Sequence, residues 1–179
     1  MFGSDELAKE IAKATDQRDV HTYVHKETHD GAVKIISIIR PARYPERLRP
    51  LLNAISAGRV GIIEINSIDA TLGEVLVAFA SSNIKCGIAV IKPNDGDWID
   101  QEMAEKMFQQ AGLNEWKFMM PDGLEIRNQL YALMREIEDE LAESAASPLV
   151  VSIDQHFNVK GIGLVAIGYV QCGTLNVHD

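Results

Sequence analysis

Apolar positions in the first 145 residues follow two periodicities in turn. Short continuous runs, such as residues 60–65 and 87–91, are typical of buried strands, whereas Ile126, Leu130 and Leu133 have the spacing of one helix face. Alternation of strands and helices predicts βαβ units. The fold class expected from this pattern is α/β, with a mainly parallel sheet and helices on both faces.

The first third of the chain is predicted to hold a short helix over residues 7–14 and two strands over residues 20–28 and 32–39. An Asp-Gly pair lies between the strands and favours a tight hairpin turn, because that turn needs positive φ. The second strand is apolar on both faces, so we expect it to be central in the sheet. Another helix is expected after Pro45.

Two later helices have recognisable boundaries. Thr71 and Glu74 form a capping box, which predicts the start of a helix. Residues 98–111 are a predicted helix that ends at Gly112. Its inward side chains are expected to be Met103, Met107 and Phe108.

The pattern changes near Pro148. Residues 142–147, AESAAS, form a small-residue linker, and beyond them short apolar stretches are separated by glycines without any helical periodicity. The predicted organisation is therefore an α/β domain over residues 1–145, followed by the start of a β-barrel over residues 146–179.

Composition narrows the function classes. The chain has 179 residues, 46% of them hydrophobic, and a net charge of −9, so any contact with RNA needs a local basic patch. Cys86 and Cys172 lie far apart in apolar runs and are expected to be buried thiols in a reducing compartment. The sequence has no secretory signal and no apolar run of membrane length. We expect a cytoplasmic protein without a membrane partner.

The end of the chain resembles a known family. Residues 148–179, PLVVSIDQHFNVKGIGLVAIGYVQCGTLNVHD, are similar to the opening of the second domain of translational GTPases, the class of elongation factor Tu, elongation factor 1-alpha and the selenocysteine-specific elongation factor. Residues 68–74, IDATLGE, resemble a helix start in elongation factor Tu relatives. The chain looks most like the elongation factor-like paralogues of methanogenic archaea, whose sites are similarly eroded.

The resemblance implies a P-loop-GTPase-like α/β domain followed by the start of the second-domain β-barrel. It also implies GTP or GDP as the ligand, and the ribosome, tRNA or a protein factor of the translation machinery as the partner. Such a domain needs a full strand before Gly3, and a barrel needs more strands after residue 179, so we expect flanking sequence. An unfinished barrel has open edges, through which a second copy could pair.

Little of the family's nucleotide site is present. Gly3 matches the first glycine of the phosphate-binding loop and Ser4 follows it, but no Gly-Lys-Ser/Thr does, and Asp5 and Glu6 place negative charge where phosphates would bind. Asp95 alone is in register with the guanine-reading Asn-Lys-x-Asp motif. The vestigial nucleotide site is therefore Gly3, Ser4 and Asp95. One carboxylate does not make a specific guanine site, so GTP or GDP is an open alternative rather than an expected cofactor.

The groups for hydrolysis are missing as well. Where relatives carry an Asp-x-Pro-Gly-His-like segment, this chain has residues 39–45, IRPARYP, and Arg40 replaces the aspartate that touches magnesium through water. No glycine senses a γ-phosphate there, and no histidine positions water. We therefore predict no catalytic residue and no metal ligand.

A basic stretch stands out in this acidic chain. Arg40, Arg43, Arg47 and Arg49 cluster around the former hydrolysis segment and fit an anion, an RNA phosphate or an acidic partner surface. The favoured interpretation is an ordinary charged helix face that pairs with acidic neighbours such as Glu46.

Three histidines, His21, His25 and His29, are spaced by four residues and would suit a metal site on a helix. The segment is predicted to be a strand, however, and four strand residues span about 13 Å, too far for one metal to join neighbouring histidines. We expect a solvated strand face.

The expected function is that of a Tu-class elongation factor paralogue with eroded GTP-binding motifs, a non-hydrolysing binding module of the translation machinery. Two alternatives stay open. One is an atypical but active GTP-binding elongation factor, and the other is a regulatory protein-interaction module without nucleotide. Whether the chain is an enzyme is therefore open, and the absence of catalysis is favoured.

Overall fold

The computed structural model describes residues 1–17, 20–29, 32–82 and 84–177, apart from the side chains of residues 29, 32, 139–141 and 154. The chain divides into two compact units, Met1–Leu133 and Met134–Asp179. The predicted domain boundary between residues 145 and 146 stays a prediction.

From Leu48 to Ala145 helices and strands alternate, which confirms the α/β class. The elements in chain order are α1 (Asp5–Ile11), β1 (Lys13–Gln17), β2 (Val20–His29), β3 (Ala32–Pro41), α2 (Leu48–Ala57), β4 (Gly61–Ile65), α3 (Ala70–Ala80), β5 (Cys86–Ile91), α4 (Gln101–Gln110), β6 (Glu115–Met119) and α5 (Gly123–Ala145). None of the helices in the described ranges is both long and apolar enough to cross a bilayer.

The strands β4, β5 and β6 form a parallel sheet in that order. Every residue of β4 and β5 is buried, as their continuous apolar runs predicted. Gly61 and Gly87 leave room for the Trp116 ring, since a Cβ at Gly61 would lie 2.2 Å from Trp116 Cη2. Helices α2, α3 and α4 pack against one face of this sheet. The core there includes Leu51, Ile55, Ile63, Ile65, Leu72, Val75, Phe79, Ile91, Phe108 and Trp116.

The strands β1, β2 and β3 form a separate antiparallel sheet in that order. The prediction of a mainly parallel sheet therefore holds only for β4, β5 and β6, because β2 pairs antiparallel with both β1 and β3. The Asp-Gly pair that was predicted to turn the chain between β2 and β3 lies outside the described residues. The prediction that β3 is central is also wrong, because β3 stands at the end of the order β1-β2-β3. Ile36 and Ile38 are buried, but Val33 and Ile35 are 51% and 48% exposed, so one face of β3 meets solvent.

The first two residues lie between the two sheets. The Met1 amine donates to the Ile39 carbonyl of β3 at 2.7 Å. Phe2 pairs in parallel with β4, where its N–H donates to the Ile62 carbonyl at 2.8 Å and its carbonyl accepts from Glu64 N at 2.9 Å. A strand position between β3 and β4 is thus held by Phe2, and α1 begins directly after it.

Two helix boundaries differ from the predictions. The helix predicted over residues 7–14 ends at Ile11, because the next residue is already extended and the chain enters β1. The capping box predicted at Thr71 is wrong. Helix α3 begins earlier, where the Asp69 carboxylate accepts from Leu72 N at 3.0 Å.

Helix α4 starts later than predicted but ends as expected. Met103, predicted to face inward, is 51% exposed, and the buried positions of this helix are Ala104 and Phe108. Gly112 has a φ of 83°, and the following residue's N–H donates to the Phe108 carbonyl at 2.9 Å. This is the glycine-terminated helix end that the sequence predicted.

The second unit holds the end of α5 and a hairpin of β7 (Val150–Val159) and β8 (Gly163–Cys172). Most of the described side chains in both strands are exposed. Gly173, with a φ of 79°, turns the chain after β8, and its N–H donates to the Ser144 carbonyl at 2.9 Å. The predicted strands and the glycine turn are confirmed, whereas their membership of a β-barrel stays a prediction.

Candidate functional site

The start of α1 lies beside the carboxyl end of β4. Ser4 caps the helix, since its Oγ accepts from Leu7 N at 3.1 Å. In open α/β sheets this edge is where ligands bind, and unpaired N–H groups at a helix start favour anions. Gly3 and Ser4 therefore sit in the turn where the resemblance placed a phosphate-binding loop.

A carboxylate of the protein itself occupies this turn. Glu64 is only 2% exposed, and its carboxylate accepts hydrogen bonds from Ser4 N and, at 3.0 Å, from Ser4 Oγ. Gly3 allows the close approach, because a Cβ there would lie 2.8 Å from both Cβ and Oε2 of Glu64. The Ser4 N–H, which an incoming anion would need, is therefore already bound.

Lys92, just after β5, balances this buried charge. Its Nζ lies 2.6 Å from Glu6 Oε2 and 3.6 Å from Glu64 Oε1, and its carbonyl accepts from Asn66 Nδ2 at 2.8 Å. The hydrogen bond to Glu6, and then the charge of Glu64, raise the pKa of Lys92 against the opposing effect of burial. Lys92 in turn lowers the pKa of Glu6. A buried carboxylate with two donors and a cation is a satisfied group.

Arg40 of β3 closes the other side of the turn. Its Nε donates to the Gly3 carbonyl at 2.7 Å, and its Nη1 lies 3.2 Å from His21 Nδ1. Burial, and then the charge of Arg40, lower the pKa of the Met1 amine to about 5. A guanidinium therefore stands in the segment where the family carries its magnesium-associated aspartate.

Asp95 lies in the loop that follows β5. It is exposed in a turn in which Asp97 N donates to the Asn94 carbonyl at 2.9 Å, and Gly96 has a φ of 84°. No hydrogen bond or ion pair among the described residues connects its carboxylate to the start of α1. The nucleotide site predicted from Gly3, Ser4 and Asp95 stays a prediction.

The predicted arginine patch divides into two parts. Arg40 is held at the start of α1, whereas Arg43, Arg47 and Arg49 are exposed around the start of α2. Within the described ranges these three make no ion pair with Glu46 or another carboxylate, and whether they form a charged helix face or an anion patch stays a prediction. Arg43 has a φ of 58°, and its carbonyl accepts from Arg47 N at 2.8 Å.

The histidine strand is confirmed, but its predicted solvation is not. Tyr23, between His21 and His25 on the same face, is fully buried, and its hydroxyl donates to the Asp5 carboxylate. His25 packs against α5, with its ring 6.4 Å from that of Tyr131. The His29 side chain lies outside the described residues. No group of three His, Cys, Asp or Glu side chains that could hold a metal occurs in the part of the chain that the structure describes.

Neither cysteine forms a disulfide. Cys86 is buried, as predicted. Cys172 is only partly buried, because it ends a hairpin with little cover, and its Sγ lies 3.3 Å from the Pro148 carbonyl. The expectation that both are buried holds for Cys86 alone.

Sequence reasoning missed the two residues that organise this site, Glu64 and Lys92. Glu64 is the single charge in the strand GIIEI, and a lone carboxylate in a buried run indicates a partner nearby. Lys92 follows β5 directly and belongs to no sequence motif that would mark it. Its partner Glu6 is 86 residues away, so no local spacing connects them.

Comparisons with known proteins agree with the fold and leave the activity open. No family model matches the chain. Protein MJ0325 of Methanocaldococcus jannaschii, described as uncharacterised, is 29% identical over 180 residues, which is 100% of this chain and 54% of that protein. The crystal structure of a bacterial selenocysteine-specific elongation factor superposes on 88% of this chain with a TM-score of 0.60 and 21% identity.

The chain spans about half the length of the archaeal relative and 28% of the elongation factor. At 21% identity, the likeness to the elongation factor shows the fold alone. The first expectation from the resemblance, a translation-factor-like fold, is confirmed at that level. The activity, the ligand and the partners of the chain are proposals.

Proposed function

We propose that this chain is a Tu-class elongation factor paralogue with an eroded nucleotide site, and that it acts as a non-hydrolysing binding module of the translation machinery. The observation that carries the proposal is the Glu64 carboxylate, which binds the Ser4 N–H at the start of α1. Because this carboxylate of the protein takes the place of a phosphate, the site is most stable without a nucleotide.

The electrostatics of the turn support this proposal. A phosphate at Ser4 would approach Glu64, Glu6 and Asp5, and like charges so close are strongly unfavourable. The ammonium group near this turn is that of Lys92, and it is already shared between the carboxylates of Glu6 and Glu64. Backbone donors, a free lysine and a magnesium ligand are what phosphate binding at such a loop requires.

The strand order supports the finer, P-loop-like fold. Phe2 pairs with β4, and the Met1 amine bonds to β3, so the start of the chain lies centrally between the two sheets. In doubly wound sheets the first strand is central, and the crevice at its carboxyl end is the binding site. The turn at Gly3 occupies that crevice in this chain.

Calorimetric titration with GDP and with GTP, each with magnesium present, tests the eroded site. We expect no saturable heat at millimolar nucleotide, because Glu64 holds the helix start. A micromolar or tighter constant for the guanine nucleotides, with no binding of ATP, would overturn the proposal. In that case Asp95→Asn should weaken binding, which would establish the atypical GTP-binding alternative.

Sedimentation with purified archaeal ribosomes tests the partner. We expect the protein to pellet with ribosomes to the same extent with and without GTP, because no nucleotide-dependent state is available to it. Absence from the ribosomal pellet at low salt would contradict the proposed role in the translation machinery while leaving the conclusion about nucleotides intact.

A further inference from the structure

A second polar site lies at the opposite end of α1. An open cleft of about 520 Å³ is bounded by the end of α1, the start of β1, the β2 strand and α5. Its volume is in the range that holds small ligands. The lining residues are Lys9, Glu10, Ile11, Ala12, Lys13, Ala14, His25 and Arg127.

The fold builds this cleft through a close helix contact. A Cβ at Gly123, the first residue of α5, would lie 2.6 Å from the Glu10 carbonyl oxygen, so glycine lets α5 start directly against the end of α1. Arg127, one turn further along α5, is thereby brought beside the Glu10 carbonyl and His25. The chain leaves α1 in an extended conformation at Ala12, and Lys13 follows on the rim.

The guanidinium of Arg127 has donors to spare. Its Nη1 lies 3.3 Å from His25 Nδ1, and its Nη2 donates only a long 3.5 Å hydrogen bond to the Glu10 carbonyl. Its Nε is buried without any hydrogen-bond partner. Within the described ranges Arg127 makes no ion pair. A buried N–H without an acceptor indicates a missing acceptor, and guanidinium donors match the oxygens of phosphate.

The charges around the cleft favour an anion. Three of the lining side chains are cationic, namely Lys9, Lys13 and Arg127, and the one acidic side chain is Glu10. Lys9 is paired with Asp5, but exposed Lys13 makes no ion pair with any described residue. This concentration of positive charge is unusual in a chain whose net charge is −9.

We propose that this cleft binds the phosphate group of a phosphorylated ligand, with Arg127 as the main contact and His25 and Lys13 beside it. The ligand is either a small phosphate compound or the phosphodiester backbone of RNA, which present the same oxyanion to these donors. The site is separate from the start of α1 and does not depend on the proposed function.

A plain structural role for Arg127 is the competing explanation. A cation near the last carbonyls of a helix stabilises that helix, and Arg127 does contact the Glu10 carbonyl at the end of α1. Such a role predicts a change in stability alone. Phosphate binding predicts instead that replacing either Arg127 or Lys13 lowers the affinity for phosphate. Lys13 makes no ion pair with a described residue, so a structural role of Arg127 alone would not produce an effect at Lys13.

Calorimetric titration of the full chain with pyrophosphate, without magnesium and at low salt, tests the proposal, and a short oligouridylate forms the second arm. We expect saturable binding of at least one probe. Arg127→Gln should weaken it about tenfold, as the loss of one charged hydrogen-bonding group does. Lys13→Gln should weaken it about threefold, as the loss of one exposed charge does.

Lys106→Gln is the matched control, since it removes an exposed cation on α4, outside both the cleft and the arginine patch, and should leave the affinity unchanged. Binding of oligouridylate but not pyrophosphate would identify RNA as the source, and the reverse would identify a small phosphate compound. No binding of either probe, or equal losses in Arg127→Gln, Lys13→Gln and Lys106→Gln, would overturn the proposal. Should Arg127→Gln fail to fold, Lys13→Gln alone decides.

Discussion

The two ends of α1 differ in whether the charged groups beside them have partners within the protein. At its start, Ser4, Glu64 and Lys92 form a closed network in which each charged group has a partner within the protein. At its end, Arg127 carries a buried N–H with no acceptor, and Lys13 is exposed at the rim of an open cleft. The family resemblance points to the first end for a ligand, but the unused donors lie at the second.

This difference shows that a position matching a phosphate-binding loop need not be the position that can bind an anion. A helix start attracts anions through its N–H groups, and a carboxylate from the adjacent strand satisfies that demand as well as phosphate does. Glu64 is covalently part of the fold, so it competes at a very high effective concentration. The closed end should therefore contribute to stability, and the open end should contribute to binding.

Replacing Glu64 should have the largest effect on stability. Glu64→Ala removes the acceptor for Ser4 N and Oγ and leaves Lys92 with one partner, so we expect a loss of about 3 kcal/mol in the free energy of unfolding. Urea unfolding followed by tryptophan fluorescence measures it, because Trp98 and Trp116 both belong to the first unit.

Glu46→Ala is the matched control for that measurement. Glu46 is exposed before α2 and makes no ion pair with a described residue, so its removal should change the unfolding free energy by less than about 0.5 kcal/mol. Equal effects of the two substitutions on the free energy of unfolding would show that the closed network at the start of α1 does not stabilise the fold.

A methyl group at Gly3 should have the next largest effect. In Gly3→Ala the new Cβ would lie 2.8 Å from Glu64 Cβ, so the network must shift, and we expect a loss of about 1–3 kcal/mol. Gly73→Ala in α3 meets nothing within 4 Å and should instead gain about 0.5–1 kcal/mol, since alanine suits a helix better. Thermal unfolding of both variants measures the contrast, and a neutral Gly3→Ala would mean that Glu64 can move away freely.

The sequence patterns could predict the frame of the first unit but not its charged contacts. Continuous apolar runs identified β4 and β5, and the glycine after α4 identified that helix end, because burial and capping act locally. The pairing of Ser4 with Glu64 spans 60 residues, and that of His25 with Arg127 spans 102. Such contacts depend on which elements become neighbours, and no spacing rule along the chain encodes that.

The dependence on distant neighbours also explains the errors made for the sheet of β1, β2 and β3. The apolar pattern of β3 was interpreted as burial on both faces, but Val33 and Ile35 are exposed in the structure. Alternation and a continuous apolar run look alike when the solvent face also carries β-branched residues. Which face is buried depends on the elements that pack against the sheet, and one of these, α5, is distant along the chain.

The smallest predicted effect concerns the exposed ion pair at the rim of the closed end. Lys92 lowers the pKa of Glu6 from its ordinary value of 4.5, so the pair stabilises the fold above that value and its contribution is lost as the pH falls through the lowered pKa. Wild type should therefore be slightly more stable than Glu6→Gln at pH 7, and the difference should vanish at a pH below the lowered pKa. Urea midpoints at the two pH values measure it.

Because Glu6 is exposed to solvent, the difference at pH 7 should also shrink in high salt, as it does for screened surface charges. A difference that persists in acid would mean that Glu6 acts through its packing or its helix position, and that the closed end of α1 does not extend to its rim.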